Sequence, residues 1–335
     1  MHDRPFDVFG IGNAMVDILA FVDDAFLRDL QLVRGSMMLV DSLAQAQVLS
    51  RLEGVSLKLA SGGSAANTMI AIAQSGGNGF YTGKVAHDPH GEFYQQDMVR
   101  AGIRFDVPLA PAASEPTGSC VVLTTPDAER TMCTHLGVST QLAPSDIHLD
   151  HLQVCKFAYI EGYLWDAETP RAACLEVMNQ ARRMRIPVAF TFSDAFLIDR
   201  FSDDFRAVTR EYCDVLFCNA DEARQFCETD SLDACADTLG QLVDLVFLTN
   251  SEQGCYVIRC GQATHVPGFP IRPLDTVGAG DAFAGGTLFG LARGWSELAA
   301  ARWGNYIASR VVATNGPRLS GSLVDVWPTI IPSPG

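Results

Sequence analysis

Short β-branched or aromatic runs alternate with longer amphipathic segments over most of this 335-residue chain. Alternation of this kind predicts a three-layer α/β fold, with a mainly parallel sheet flanked by helices. In such sheets ligands bind beyond the carboxyl ends of the strands, where the glycine-rich turns of this chain fall. The predicted strands are residues 6–11, 79–85, 154–161, 188–191, 215–218 and 245–249, and the predicted helices are residues 65–75, 91–101, 169–184, 222–227, 233–241, 281–292, 296–301 and 302–313.

Two blocks interrupt this rhythm, residues 18–40 and 106–136, which are richer in Val, Leu, Thr and Pro. Both carry short strand-like runs, and we expect them to form a small β-sheet that lies as a lid over the main domain. The large α/β domain, which would bind nucleotide and substrate, then consists of residues 1–17, 41–105 and 137–335.

The charge balance argues against several classes of partner. With 24 Lys and Arg against 39 Asp and Glu the formal net charge is −15, and such a surface repels nucleic acid and anionic lipid. The apolar runs are too short to span a bilayer, and no signal peptide is visible. The ten cysteines lack metal-type Cys-x-x-Cys spacing, which is typical of free thiols in a reducing compartment. We expect a cytoplasmic monomer or homodimer that acts on small molecules and has no nucleic-acid or membrane partner.

The run from Asp275 to Asp281 places two glycines around an alanine, immediately before an acid and a helix-compatible segment. Glycine allows the N–H groups of Gly278, Ala279 and Gly280 to converge on an anion at a helix N-terminus. Asp281 would then lie in the first helical turn beside that anion. A carboxylate in this position can take a proton from a hydroxyl while negative charge develops on a nearby phosphoryl group.

A second glycine pair, Gly62 and Gly63, opens a predicted helix that carries Ser64 and Asn67 in its first turn. Bare backbone lets a ligand hydroxyl approach the main-chain N–H groups, and the Asn67 amide can both donate and accept toward a diol. The alternative is a tight turn with a serine cap, since Ser and Asn are common at helix starts. Taken alone, these residues favour that alternative.

The first predicted strand ends in Gly10-Ile11-Gly12, which resembles part of a dinucleotide-binding fingerprint. The third glycine position is occupied by Met15, so the fingerprint is incomplete. The other interpretation concerns Asp17, which lies in an otherwise apolar run and is costly to bury without a partner. It would accept hydrogen bonds from sugar hydroxyls at the hinge of the lid.

Two polar turns follow later strands. Asn219 and Glu222 have the spacing of a helix capping box, and the same side chains could organise Mg²⁺ and phosphate through water. The turn that holds Thr249, Ser251 and Gly254 is a hairpin loop when considered by itself, and it also offers hydroxyls and amides to a nucleotide. The local sequence does not decide between these interpretations.

Together these segments resemble the ribokinase-like (PfkB) family of carbohydrate and nucleoside kinases, over nearly the whole chain and in the family's motif order. The two signatures that carry the resemblance are residues 62–67 and residues 275–281. The resemblance implies a ribokinase-like fold with a β-sheet lid, Asp281 as the general base, and an anion hole made by the amides of residues 278–280. It assigns the hydroxyls of the acceptor to Asn13, Asp17, Gly62, Gly63 and Asn67.

The resemblance also assigns a nucleotide side. Asn219 and Glu222 resemble the family's Asn-x-x-Glu element and would organise Mg²⁺ through water. The family's Thr-x-Gly-x-x-Gly nucleotide turn has Ser251 in place of its middle glycine. The implied nucleotide contacts are Asn219, Glu222, Thr249, Ser251, Gly254, Gly278, Gly280 and, on the adenine side, Asn305.

Residues 12–17, 130–132, 135–139 and 316–318 are most similar to the adenosine kinase-like branch of the family. The implied reaction transfers the γ-phosphoryl group of ATP to the primary hydroxyl of a ribonucleoside, adenosine first, with Mg²⁺ as cofactor and a monovalent cation such as K⁺ as a further expectation. A sugar kinase is the alternative within the family. A nicotinamide-dependent oxidoreductase and a non-catalytic nucleoside-binding regulator are the alternatives outside it.

Overall fold

The computed structural model describes residues 4–111, 115–127 and 129–331. Their strands form two separate sheets. The strands are β1 (Phe6–Ile11), β2 (Met15–Phe21), β3 (Met37–Leu39), β4 (Lys58–Gly62), β5 (Gly79–Thr82), β6 (Gly118–Thr124), β7 (Arg130–His135), β8 (Cys155–Glu161), β9 (Val188–Thr191), β10 (Val215–Asn219), β11 (Leu245–Thr249), β12 (Gly254–Arg259) and β13 (Gln262–Pro267).

Helices cover both faces of the larger sheet. Short 3-10 turns lie at Gly137–Gln141, Pro144–Asp146, Gly162–Asp166 and Ser251–Gln253. The helices are α1 (Asp24–Asp29), α2 (Ser42–Arg51), α3 (Ser64–Gln74), α4 (Pro89–Arg100), α5 (Leu149–Gln153), α6 (Glu168–Met184), α7 (Ala195–Arg200), α8 (Ser202–Glu211), α9 (Ala220–Cys227), α10 (Leu232–Leu242), α11 (Ala279–Ala292), α12 (Glu297–Val312) and α13 (Trp327–Ile330).

The larger sheet has the strand order β13-β12-β11-β10-β9-β8-β1-β5. From β11 to β5 neighbouring strands are parallel, while β12 and β13 add an antiparallel edge. Successive side chains of a strand enter opposite cores: Val8 and Tyr159 pack on the side of α3 and α11, whereas Phe9 and Ile160 pack on the side of α6. The three-layer, mainly parallel arrangement predicted from the sequence is confirmed.

Helix α11 packs closely against α3 and α12 because its residues at the contacts are small. A Cβ atom at Gly285 would lie 2.5 Å from the Thr68 carbonyl oxygen of α3. A Cβ atom at Gly286 would lie 3.0 Å from Cα of Gly304 on α12. The small-residue run after Asp281 therefore brings the N-terminal ends of α3 and α11 together at one place.

The smaller sheet has the order β3-β7-β6-β2-β4 and differs from the expected boundaries of the lid. Residues 15–17 and 58–62 form part of this sheet, since β2 pairs with β4 and Asp17 lies opposite Ala60. Residues 106–110, expected in the lid, instead run along the β5 edge of the larger sheet, where the Ala110 amide donates to Val85. Residues 112–114 and 128 of the expected lid lie outside the described residues.

Two predicted C-terminal helices, residues 296–301 and 302–313, form the single helix α12. Ala300, Trp303, Ile307 and Val311 are buried at spacings of three and four residues, so the apolar face continues without a break. The predicted division at residue 302 is wrong because Arg302 lies on the opposite, solvent-facing side of the same helix.

Candidate active site

A cavity of about 450 Å³ lies between the two sheets, at the carboxyl ends of β8 to β11. Its lining includes the N-terminal turns of α3 and α11 and one face of the smaller sheet. Most residues singled out in the sequence meet here although they are far apart in the chain. Those that line the cavity are Asn13, Asp17, Gly63, Asn67, Asn219, Glu222, Thr249, Gly278, Gly280 and Asp281.

Asp281 is the third residue of α11 and is held from α3 by two hydrogen bonds. Ser64 donates its hydroxyl to Oδ1 at 2.6 Å, and the Asn67 amide donates to Oδ2 at 3.1 Å. Burial raises the pKa of Asp281 to about 6, and the two hydrogen bonds oppose that rise. The carboxylate is thus oriented, and it changes protonation near neutral pH, which suits a general base.

The other side of Asn67 is unused by the protein. Its Oδ1 atom is buried and has no hydrogen-bond partner, although the residue lines the cavity. A buried acceptor without a partner costs roughly 1–3 kcal/mol. The position therefore favours a ligand that brings a donor, such as a hydroxyl, to a point beside Asp281.

The glycine turn before α3 packs directly against Asp17. A Cβ atom at Gly62 would lie 2.5 Å from the Asp17 carboxylate, and one at Gly63 would lie 2.1 Å from the Asn13 carbonyl oxygen. Gly63 also has φ +100°, which other residues rarely adopt. Gly62 itself does not line the cavity, and its contribution is the space it leaves for Asp17.

Asp17 is a half-buried carboxylate among charged neighbours. Burial raises its pKa to about 7, the guanidinium groups of Arg318 and Arg130 lower it, and Asp281 raises it further. Because this pKa is close to neutral, small changes around Asp17 alter its charge. Among the described residues, no group donates a hydrogen bond to the Asp17 carboxylate. The carboxylate is therefore available to a ligand.

Glu161, at the end of β8, lines the cavity but is not among the residues singled out in the sequence. It is buried, and its two oxygens accept the Asn13 amide at 2.7 Å and the Ala65 amide at 2.6 Å. Burial raises its pKa to about 7, and the two amides lower it. A signal is present in the sequence: an acid that ends an apolar strand is costly to bury without partners, as argued for Asp17.

The loop before α11 is braced by residues far away in sequence. Asp275 accepts the Val277 and Gly316 amides at 3.0 Å each and pairs with Arg130 of the smaller sheet at 2.5 Å. Gly278 has φ +77° and lies against the Pro317 carbonyl, which a Cβ atom would approach to 2.2 Å. The sequence analysis singles out this loop and also residues 130–132 and 316–318, but it does not predict that they contact one another.

The three amides predicted to form the anion hole are not equivalent. The Ala279 N–H donates to the Thr276 carbonyl at 3.3 Å, so it already has a partner within the loop. Gly278 and Gly280 line the cavity at the helix N-terminus, where backbone N–H groups lack intrahelical acceptors and the dipole of α11 attracts anions. Their amides stay the predicted anion site.

Asn219 and Glu222 form the capping box of α9 and also line the cavity. Asn219 donates its backbone N–H to Glu222 Oε2 and its side-chain amide to Oε1, at 3.0 and 2.8 Å. Burial raises the pKa of Glu222 to about 7. Among the described residues no group of three or more His, Cys, Asp or Glu is placed to hold a metal. Mg²⁺ commonly keeps its waters and uses one or two carboxylates with substrate phosphates, and these oxygen donors fit that pattern.

Three residues assigned to the nucleotide lie outside the cavity lining. Ser251 is exposed in a 3-10 turn with φ +49°, and Gly254 begins the β12 strand beyond it. Asn305 is buried, and its amide donates to the carbonyls of Val266 and Pro267, which fixes α12 to β13. Thr249, the last residue of β11 before this turn, does line the cavity.

The glycines of the first strand do not form a dinucleotide site. β1 leads directly into β2, whereas the fingerprint requires a helix at that point. Gly12 lies against Glu161 and Ala65, where a Cβ atom would come within 2.8 and 2.6 Å. The oxidoreductase alternative loses the feature on which it was based.

The family model described as pfkB family carbohydrate kinase matches residues 33–322. The chain belongs to the pfkB family of carbohydrate kinases. It is accordingly a phosphotransferase that acts on an alcohol group, a nucleoside or sugar kinase that uses ATP and, as is usual in the family, Mg²⁺. The resemblance noted in the sequence is confirmed.

The relatives of this PfkB kinase include nucleoside and sugar kinases. Adenosine kinase from Saccharomyces cerevisiae is 28% identical over 333 residues, covering 92% of this chain and 95% of the relative. The structure of adenosine kinase from Sinorhizobium meliloti has a TM-score of 0.88 at 35% identity, covering 96% of this chain and 98% of that chain. A probable sugar kinase from Rhizobium etli has a TM-score of 0.88 at 33% identity, covering 96% and 97%. The ribokinase-like fold is thereby confirmed.

Several expectations about this kinase remain predictions: activation by K⁺, the monomeric or dimeric state and the cytoplasmic location. Across residues 4–111, 115–127 and 129–331, the helices are all too short or too polar to cross a membrane.

Proposed function

We propose that this kinase transfers the γ-phosphoryl group of ATP to the primary hydroxyl of a ribonucleoside, with adenosine as its preferred acceptor. The observation that carries the proposal is the two-sided character of the cavity. Hydroxyl-binding groups around Asp17 and Asn67 lie on one side, and an apolar wall of the smaller sheet faces the same space. A ribose with a flat base attached matches both.

The apolar wall comes from one face of the smaller sheet. In this register Leu19 lies beside Val122, Val122 beside Met132, and Met132 beside Met37. Leu39 extends the same face, and all five side chains line the cavity. Contact with such a surface stabilises a bound apolar ring by about 25 cal/mol for each Å² removed from water. A free sugar, which presents hydroxyls on every side, gains little from this wall.

The strand order gives the cavity two ends, which we assign to the acceptor and to the nucleotide. Asn13 and Glu161 lie at the ends of β1 and β8, next to the smaller sheet, whereas Asn219 and Thr249 lie at the ends of β10 and β11. Asp281 lies between these ends on α11. The acceptor occupies the first end and ATP the second, so the γ-phosphoryl group meets the hydroxyl beside Asp281.

The reaction follows from these positions. Asp281 accepts the proton of the primary hydroxyl as the hydroxyl oxygen attacks the γ-phosphorus. The bond from this phosphorus to the β–γ bridging oxygen breaks, and ADP leaves. General-base assistance of this kind typically contributes ~10²–10⁴-fold. The amides of Gly278 and Gly280 and the N-terminus of α11 stabilise the charge on the phosphoryl oxygens. One well-placed donor is typically worth roughly 3 kcal/mol. The smaller sheet covers the cavity and limits the entry of water that would hydrolyse ATP.

Mg²⁺, when bound, neutralises charge on the phosphates. Glu222 and Asn219 are the residues that would hold it, through water, at the nucleotide end. Both remain anchored by the capping box of α9, which fixes the direction of the Glu222 carboxylate.

The test is an ADP-release assay with adenosine, guanosine, inosine, ribose and fructose 6-phosphate, each at saturating ATP and Mg²⁺. The proposal expects kcat/KM for adenosine to exceed that for ribose and fructose 6-phosphate by at least about 10-fold, because only a nucleoside uses the apolar wall. A higher value for either sugar would overturn the proposal in favour of a sugar kinase, the activity suggested by the name of the Rhizobium etli relative. Adenosine binding without ADP release would favour the regulator.

A further inference from the structure

Three consecutive residues after α12, Gly316, Pro317 and Arg318, touch both halves of the active site. The Gly316 amide donates to Asp275 Oδ2 at 3.0 Å, and the Pro317 carbonyl lies over Gly278. These two contacts are made to the phosphate side. Arg318 turns the other way, toward the glycine turn on the acceptor side.

We propose that Arg318 is a positioning residue for the acceptor, which holds the end of β4 and the glycine turn in place and keeps Asp17 able to accept the hydroxyls of the acceptor. The inference rests on the proposed function, since it concerns how the same site binds its acceptor. Arg318 does not touch the reacting atoms in this scheme. It acts through Ser61 and Asp17.

Arg318 uses both ends of its guanidinium fork. Nη1 donates to Ser61 Oγ at 2.8 Å, and Nη2 donates to Asp97 Oδ2 at 2.7 Å. The same Asp97 oxygen accepts the Ser61 hydroxyl at 2.7 Å and the Ser61 amide at 3.1 Å. Ser61 is fully buried and immediately precedes Gly62. The three side chains therefore fix the backbone one residue before the turn that supports Asp17.

A further hydrogen bond holds the same glycine turn in place. Tyr94 of α4 donates its hydroxyl to the Gly62 carbonyl at 3.1 Å. Helix α4 also carries Asp97, so the turn is held from one helix at two successive residues. Arg318 is the cation that balances the Asp97 carboxylate in this arrangement, and the pair lowers the pKa of Asp97 against the effect of its partial burial.

Arg318 also acts on Asp17 through its charge. The groups that face Asp17 are the cations Arg318 and Arg130, the Asp281 carboxylate, the Tyr94 hydroxyl and the Cys120 thiol. Burial raises the pKa of Asp17, and of the two cations Arg318 opposes that rise more. Loss of Arg318 would raise the pKa further, so less of Asp17 would be ionised at pH 7. Only the ionised carboxylate accepts hydrogen bonds with both oxygens.

The test compares Arg318→Met and Arg318→Lys with Arg310→Met. Arg310 is a matched control because it lies on α12 near the same end of the chain and stacks on Tyr306 without reaching Ser61 or Asp97. Initial rates are measured for adenosine and ATP from pH 5.5 to 9, with thermal unfolding recorded for each variant. If the wild-type protein phosphorylates ribose and not adenosine, the proposed function fails and the same comparison is made with ribose.

We expect Arg318→Met to raise KM for the acceptor by about 10-fold or more, because charge-assisted hydrogen bonds are lost. KM for ATP should stay within about 2-fold of the wild-type value. The acidic limb of kcat/KM for the acceptor moves to higher pH in this variant and stays near the wild-type position in Arg318→Lys, which keeps the charge. Arg310→Met behaves as wild type. An unchanged acceptor KM and pH profile in Arg318→Met would overturn the inference. So would a loss of activity that equals the loss of folded protein in both Arg318 variants.

Discussion

Asn67 and Asp281, 214 residues apart in the chain, are joined by a hydrogen bond of 3.1 Å from the Asn67 amide to Asp281 Oδ2. Both residues lie in the first turn of a helix, and Gly285 allows the two helices to approach. The same Asn67 side chain keeps its Oδ1 atom buried without a hydrogen-bond partner, although the residue lines the cavity. One amide thus holds the base and has an acceptor that no protein group uses.

The first prediction concerns the base itself. Asp281→Asn should lower kcat by about 10²–10⁴-fold, because the amide cannot accept the hydroxyl proton. Its neutral side chain keeps the volume of the original, so ATP and acceptor binding should stay within a few-fold of wild type. Steady-state kinetics and calorimetric titration measure the two effects separately. Asp237→Asn, on the exposed side of α10, is the control. Normal turnover in Asp281→Asn would remove the base assignment.

The second prediction uses two glycines with similar backbones. Gly63 has φ +100° and no room for a side chain, whereas Gly54 has φ +87° and no atom within 4 Å of the position that a Cβ atom would take. Both alanine variants carry backbone strain of about 1–3 kcal/mol. Only Gly63→Ala must also move the Asn13 carbonyl. We expect KM for the acceptor to rise at least about 10-fold in Gly63→Ala alone, and equal kinetics in the two variants would contradict this.

The third prediction concerns Glu161. Its two oxygens accept two amides, and Glu161→Gln replaces one acceptor with an N–H₂ donor that faces an N–H group. An unsatisfied buried donor costs roughly 1–3 kcal/mol. Denaturant unfolding should show a loss of that size, and KM for the acceptor should rise because Asn13 and Ala65 flank the acceptor site. Glu53→Gln, at an exposed position just after α2, controls for the same exchange of side chains. Unchanged stability in Glu161→Gln would show that the two amides are satisfied in another way.

The sequence predicts the central strands well and the smaller sheet poorly. The predicted strands at residues 6–11, 188–191 and 245–249 have the bounds that the structure shows, because buried parallel strands are continuous apolar runs between turn signals. The sequence does not predict β4. Its segment Lys58–Gly62 has no β-branched or aromatic residue, and it becomes a strand only by pairing with β2, about 40 residues earlier in the chain.

The residues of the candidate site likewise divide into those that the sequence predicts and those that it does not. Gly63, Gly278 and Asp281 can be singled out because turn glycines and a helix-start acid are local patterns. Arg318 contacts Ser61 over 257 residues, and Glu161 contacts Asn13 over 148. No local spacing predicts such pairs. Asn305 stays a prediction for the adenine side, and its amide donates to two backbone carbonyls that the sequence does not indicate as partners.

The fourth prediction tests the apolar wall. Met132→Gln should lower kcat/KM for adenosine by about 10-fold, since a polar group then faces the base, and should change kcat/KM for ribose little. Leu43→Gln is the control, because Leu43 is exposed on α2 and does not line the cavity. An equal loss with adenosine and ribose would show that Met132 supports the fold of the sheet without contacting the base.

The fifth prediction joins pH, activity and stability at Asp281. Burial raises its pKa from 3.8 to about 6, so kcat should rise with pH through about 6 as the base loses its proton. The free energy of unfolding changes with pH in the opposite direction to kcat. A folded-state pKa above the unfolded value means that stability is fully present below pH 3.8 and is lost as pH rises through 6.

Asp281→Asn removes that loss, because the side chain stays neutral at every pH. The variant should therefore gain thermal stability relative to wild type by about 1.4 kcal/mol as pH rises from 5 to 8, which corresponds to the one pH unit between 5 and the folded-state pKa, while its kcat stays low throughout. The new amide can no longer accept from both Ser64 and Asn67, and this lowers the stability of the variant by a similar amount at every pH. Thermal unfolding of both proteins across this range measures the difference. A difference that is constant with pH would mean that Asp281 is as well solvated in the folded protein as in the unfolded chain, and its place as a buried base would then be untenable.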